Sequence, residues 1–141
     1  MVYNCTEEEE VNLVIDTSVI LAVLTSEPER ESIVRITHDA NLIAPASVHW
    51  ELGNALSAMI KRKRMTLVEA QSAIVSYGKI PIRFIEIGLK ESVAIAAKHN
   101  LYAYDAYVIA CAQSERCKLV SLDMALLQAA TASGVAIVEV P

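Results

Sequence analysis

The chain has 141 residues, 54% hydrophobic and 21% charged, which is enough apolar side chain for one core and argues against a disordered polymer. Twelve Lys and Arg against 17 Asp and Glu give a formal charge of −5, so the overall field does not attract nucleic acid; any such binding needs a local basic patch or a metal ion. Cys5, Cys111 and Cys117 form an odd set without a Cys-x-x-Cys pair, and His38, His49 and His99 lack ligand spacing, so neither a disulfide framework nor a structural zinc set emerges. The thiols read as reduced and cytosolic.

In chain order, MVYNCTEEEE is acidic and has no apolar h-region, so no signal peptide is expected; residues 1–10 read as a solvated, flexible tail before a single domain over 11–141. Val11–Ile15 is a short β-branched run that reads as the first strand, followed by a helical pattern from about Ser18. Ser26-Glu27-Pro28-Glu29 looks like a capping box opening a helix that ends near Asn41, a candidate left-handed cap. Leu42–Ala44 reads as a strand stopped by Pro45, and Ser47 as the cap of a long helix to about Arg64. Thr66-Leu67-Val68-Glu69 is a second capping box. Pro81–Ile87 reads as extended, with helices at about Lys90–Lys98 and Ala103–Arg116. Lys118–Ser121 is a strand, Met124–Ala132 a helix, and Ala136–Val140 a last strand after Gly134. Short buried strands alternating with helices predict an α/β fold with a central parallel sheet of about five strands. No apolar run approaches the ~18 residues of a membrane span, so no membrane partner is expected.

Four acids interrupt apolar patterns. Asp16 ends the first strand in VNLVIDTSVILAVL, and Asp123 follows another in KLVSLD. Open α/β sheets bind ligands beyond the carboxyl ends of their strands, so both acids are placed for one crevice. In SVHWELGNALSAMI, Glu51 falls at the edge of the apolar face Val48, Leu52, Ala55, Leu56 and Met59. In LYAYDAYVIACA, Asp105 shares a face with Val108, Ile109 and Ala112. Each acid has a plainer reading alone: a turn residue for Asp16, helix caps for Asp105 and Asp123, a solvated boundary residue for Glu51. Together they pose an electrostatic problem. Two carboxylates ~4 Å apart repel by about 4 kcal/mol at an effective dielectric of 20. A cluster of four must take up protons or bind a divalent cation, and oxygen donors suit Mg²⁺ or Mn²⁺. Such a site suits metal-assisted phosphoryl transfer.

At these residues the chain resembles a PIN-domain ribonuclease, specifically a VapC-type toxin of a toxin–antitoxin pair. The motifs are VIDTSVIL, HWELGNAL, LYAYDAYVIACA and LVSLDMAL, in order along nearly the whole chain after the acidic tail. The resemblance implies a PIN-like three-layer α/β/α fold and a cytoplasmic Mg²⁺- or Mn²⁺-dependent endoribonuclease that leaves a 5′-phosphate and a 3′-hydroxyl. Asp16, Glu51, Asp105 and Asp123 match the family's catalytic and metal-holding acids. Thr17 or Ser18 would order the first loop or a metal-bound water, Ser121 fills the usual hydroxyl position, and Asn54 matches a polar residue near the site. Also implied are an RNA substrate, a homodimer and a small antitoxin occupying the groove. The segment through Glu10 departs from the family, whose chains often start almost at strand one.

Lys61-Arg62-Lys63-Arg64 is the concentrated basic run. It reads either as cations complementing a helix C-terminus or as a phosphate track for RNA. Trp50, Tyr102, Tyr104 and Tyr107 read as core or boundary residues, with only Tyr104, beside Asp105, suggesting a base platform. Ser18 stands where a phosphoaspartyl enzyme would carry its second acid, and four glycines with no glycine-rich loop do not support a P-loop. The competing function is a non-catalytic PIN-like module that binds RNA or protein.

Overall fold

The computed structural model describes residues 10–141, so the predicted tail lies outside the described residues except for Glu10. Strand β1 (Val11–Ile15) leads into helices α1 (Thr17–Leu24) and α2 (Arg30–Thr37), then β2 (Ala40–Pro45), α3 (Ser47–Lys61) and α4 (Leu67–Tyr77). The second part runs β3 (Ile82–Ile85), α5 (Leu89–His99), α6 (Ala103–Glu115), β4 (Lys118–Val120), α7 (Met124–Ala132) and β5 (Ile137–Val138). All strand pairings are parallel, in the order β3-β2-β1-β4-β5. Register sets Leu13 beside Leu42 and Lys118, and Ile15 beside Val120.

Alternation along β1 builds two helical layers. Leu13 and Ile15 pack with Val19 and Ile20 of α1, Ile33 of α2, Leu52 and Leu56 of α3, and Ala70 of α4. Val14 faces the other way, into Val108 and Ile109 of α6, Leu119, and Leu126 of α7. A side-chain period of two on a central strand, buried on both faces, gives the predicted α/β/α sandwich. The sheet runs outward from β1 in both directions, to β2 and to β4, so the gap past the carboxyl ends of β1 and β4 is its switch point.

Several local expectations are corrected. Ser26 does not cap a helix: it is left-handed (φ 54°), and the chain turns through Pro28 before α2 starts at Arg30 without a side-chain cap. That helix ends at Thr37, and Asn41 lies in β2, where its amide donates to Asn12 Oδ1 at 3.1 Å instead of capping anything. Nor does Ser47 cap α3; Ala46 holds that position, and the Ser47 hydroxyl is buried without a partner among the described residues. Helix α3 stops at Lys61 because Lys63 turns left-handed (φ 59°) and Arg64 N–H closes on Met59 O at 2.9 Å. The Thr66 capping box forms in both directions, at 3.1 and 3.2 Å. The last strand is shorter than predicted. Among the described residues, no helix is long and apolar enough to cross a membrane.

Candidate active site

Asp16 sits where β1 becomes α1 and is only 6% exposed. It caps the helix by accepting from Val19 N–H at 3.3 Å. The hydroxyls of Ser18 and Ser121 each donate to one of its oxygens, both at 2.6 Å. Those hydroxyls are themselves acceptors, Ser18 from Leu122 N–H and Ser121 from Asp123 N–H, each at 3.0 Å. A hydroxyl has one proton, so accepting from an amide leaves that proton for Asp16. Burial nevertheless outweighs these bonds: it pushes the Asp16 carboxyl above its ordinary range, and the Asp123 carboxylate adds to the rise.

Glu51 lies in the second turn of α3, with Thr17 Oγ1 donating to its Oε2 at 2.7 Å. Burial lifts its pKa first, and the carboxylates of Asp16 and Asp105 lift it further. Thr17 and Ser18 thus serve different acids. Asp105 is the third residue of α6, whose N-cap is Tyr102, so it is not the cap its position suggested. Burial raises its pKa, followed by repulsion from Asp123 and Asp16, and no hydrogen bond to it forms among the described residues. Asp123 does cap: its Oδ1 accepts from Ala125 N–H at 3.0 Å and Leu126 N–H at 3.2 Å. Both plain and functional readings of Asp123 therefore fit one residue.

The four carboxylates line one cavity of about 320 Å³ at the switch point. Thr17, Ser18 and Asn54 complete its polar wall, and Val108 and Leu126 supply apolar lining. Among the described residues, no Lys, Arg or His is in the lining. Among the described residues, no three carboxylates, imidazoles or thiols come together closely enough to hold one ion by themselves. Oxygens not engaged in hydrogen bonds among the described residues include Glu51 Oε1, Asp123 Oδ2 and both of Asp105. An all-oxygen donor set fits Mg²⁺, which keeps several waters and takes only one or two carboxylates directly, so it does not need three acids in one cluster.

Of the two aromatic residues at the cavity, the sequence reading singled out Tyr104 and missed Trp50. Trp50 is 73% exposed and Tyr104 57% exposed, and both border the cavity next to an acid. The clue for Trp50 was available: it falls outside the buried Val48-Leu52-Leu56 stripe. Lys61–Arg64 are exposed and do not line the cavity; at 1.5 Å per residue, Lys61 lies roughly 15 Å along α3 from Glu51. Burial pushes the Cys111 thiol up to about 12 and raises Cys117 as well, so neither is a ready thiolate.

The profile of the PIN domain family matches residues 13–132. This chain belongs to the PIN domain family. Ribonuclease VapC9 of Mycobacterium tuberculosis (strain H37Rv) is 27% identical to this PIN domain over 115 residues, 81% of this chain and 87% of that protein. Among solved structures, VapBC2 from Rickettsia felis, bound to a DNA fragment from their promoter, superposes with a TM-score of 0.64 at 11% identity over 91% of this chain and 98% of that one. VapC20 of Mycobacterium tuberculosis, a toxin that cleaves the sarcin-ricin loop, gives 0.62 at 13% identity over 87% and 95%. At such identities these two structures speak for the fold, the α/β/α arrangement described above.

Proposed function

We propose that residues 11–141 are a single PIN domain acting as an endoribonuclease that hydrolyses RNA phosphodiester bonds with Mg²⁺ or Mn²⁺, and that it is the toxin of a VapBC-type pair. The observation that carries this reading is a cavity with four carboxylates and, among the described residues, no basic side chain in its lining. A phosphodiester cannot approach four negative groups unless positive charge lies between them. Asp16, Glu51, Asp105 and Asp123 are the residues that would hold that charge. When bound, a divalent cation lowers the pKa of water and neutralises charge on phosphate oxygens.

This chain's own contribution is positioning. Ser18 and Ser121 hold Asp16 in one orientation through two charge-assisted hydrogen bonds. Thr17 does the same for Glu51 and ties the start of α1 to α3. Asp123 is fixed by the amides of α7, which leaves Oδ2 for the site. Asn54, bordering the cavity one turn beyond Glu51, supplies an amide to a phosphate oxygen or a water. Neither His49 nor a thiol is needed as a base.

The VapC relative supports the ribonuclease assignment, and the VapBC2 neighbour supports a small antitoxin as partner; a cytoplasmic homodimer completes the proposal. The test is incubation with structured RNA under Mg²⁺ or Mn²⁺, beside EDTA and an Asp16→Asn control. Cleavage should need both the metal and the carboxylate. Cleavage that survives both removals points to a contaminant, and RNA binding without cleavage under either metal favours the non-catalytic module. Independently, Mg²⁺ should raise the melting temperature of the natural chain more than that of Asp123→Asn, because ligand binding stabilises the folded state by mass action.

A further inference from the structure

Trp50 immediately precedes Glu51 on α3, and Tyr104 immediately precedes Asp105 on α6. From these two helices both aromatic side chains border the cavity of the four acids while staying largely in solvent. Each is braced by a second ring in an edge-to-face contact. His49 lies 4.8 Å from Trp50 between centroids at 83°, and Tyr107 lies 6.0 Å from Tyr104 at 80°. Large aromatic surface held in place yet left wet at the border of a polar cavity is characteristic of recognition surfaces.

We infer that Trp50 and Tyr104 form a base-stacking platform that receives an unpaired nucleobase beside the scissile phosphate. This deepens the nuclease reading and rests on it for the position of the phosphate. Base and phosphate of one nucleotide are covalently joined, so a phosphate at the acids brings its base, or its neighbour's, to the adjoining rings. A stacked duplex offers no free base face, whereas splayed bases stack readily on aromatic side chains. A nucleotide brings a π-face for the rings and a phosphate for the cation-loaded acids, a pairing that matches both halves of this lining.

Trp50 is the only tryptophan in the chain, so its emission reports the site directly. The experiment uses the cleavage-impaired Asp16→Asn chain in Mg²⁺, with Asp123→Asn as a second background because its carboxyl is exposed and its cap survives as an amide oxygen. Each is titrated with an unstructured oligoribonucleotide, the same sequence as a duplex, and an abasic ribose-phosphate oligomer of equal length. The single strand should quench Trp50 saturably, and the other two should do so only weakly. By anisotropy of a dye-labelled strand, Trp50→Ala and Tyr104→Ala should each weaken binding by about tenfold, as expected for the loss of one stacked base. Trp50→Phe and Tyr104→Phe should stay within about threefold, and circular dichroism should show all four variants folded. Equal affinity for the abasic oligomer, or unchanged binding in both alanine variants, overturns the platform. If those alanine variants instead lose their hold on the antitoxin, the rings belong to a protein interface and the proposal fails. Metal- and Asp16-dependent cleavage with unchanged KM in both alanine variants removes the platform and spares the nuclease. Saturable quenching without cleavage in Mg²⁺ or Mn²⁺ does the reverse.

Discussion

Helix α3 carries an acid in its second turn and a block of four bases across its far end, and the two ends behave differently. Glu51 is half-buried, held by the Thr17 hydroxyl and crowded by Asp16 and Asp105. Lys61, Arg62, Lys63 and Arg64 are all exposed, and among the described residues none pairs with a carboxylate. The single charge lodged in an apolar pattern proves more informative than the run of four. A solvated charge is stable wherever it falls, whereas a desolvated one needs a specific neighbour.

The largest effect that separates the two ends is on catalysis. Asp16→Asn should lower RNA cleavage at least about a hundredfold, the scale for removing one preorganised electrostatic group. The replacement amide also presents N–H to a hydroxyl whose proton already points at it. Some stability should therefore go as well, and the rate is to be measured at a temperature where circular dichroism shows the variant folded. Converting all four bases to Gln should leave the chemical step within about threefold under single-turnover, saturating conditions. A comparable loss in both variants would erase the contrast.

Next in size is the scaffold beneath the acids. Ser121→Ala removes a donor to Asp16 and the acceptor of Asp123 N–H in a site only 2% exposed. Leaving buried groups unpaired costs about 1–3 kcal/mol, which thermal or denaturant unfolding resolves. A Ser121→Ala chain as stable as the natural one would show that water replaces the hydroxyl freely.

A smaller effect tests the crowding itself. Asp16, Glu51 and Asp105 hold their protons to higher pH when folded than their ordinary values of 3.8, 4.5 and 3.8. The folded chain then binds more protons than the unfolded one between the ordinary and the raised values. Their contribution to stability is whole below about pH 4 and is lost as pH rises through the raised values. In EDTA at pH 7, Asp105→Asn should melt higher than the natural chain by roughly 3 °C, about 1 kcal/mol for a partly exposed group, and the gap should close toward pH 4. Mg²⁺ should reverse the order. A lower melting point for Asp105→Asn in EDTA would mean that the carboxylates do not strain one another.

Much of this arrangement is legible in the residues. Strand β1, the Thr66 capping box and the Met124–Ala132 helix follow from β-branched runs, Thr-x-x-Glu and the Ser-x-Asp turn, where local chemistry and tertiary packing agree. Ser26 and Ser47 misled because a hydroxyl before a helical pattern caps only if the backbone there is extended, and the turns after α1 and β2 impose other dihedrals. The four acids could be nominated singly, but only the 3-2-1-4-5 strand order, which places β4 beside β1, makes Ser121 a neighbour of Asp16. Exposure of Trp50 follows from its place off the Val48-Leu52-Leu56 stripe, but its position beside the four acids depends on how α1, α6 and α7 pack around α3, which no local window contains.

The finest distinction lies in what the four bases do once catalysis and folding are set aside. At the end of α3 they complement the exposed carbonyls of the helix, worth about 0.3–1 kcal/mol for a well-placed cation. Replacing them with Gln should lower stability by no more than about 1 kcal/mol, and less at high salt, since exposed charges are screened beyond ~10 Å at 0.1 M. A phosphate track makes a further demand. Each Lys or Arg that neutralises an RNA phosphate releases counterions and steepens the dependence of log K on log salt by about 0.7 for single strands. If all four contact RNA, the Gln variant should flatten that slope by nearly 3; if none do, the slope stays put while the small stability loss remains. Because the run lies roughly 15 Å along α3 from Glu51, RNA touching both must extend past the scissile nucleotide. The slope difference should therefore vanish for a dinucleotide and appear only with longer strands. A slope change already present with the dinucleotide would place the bases nearer the acids than the fold allows.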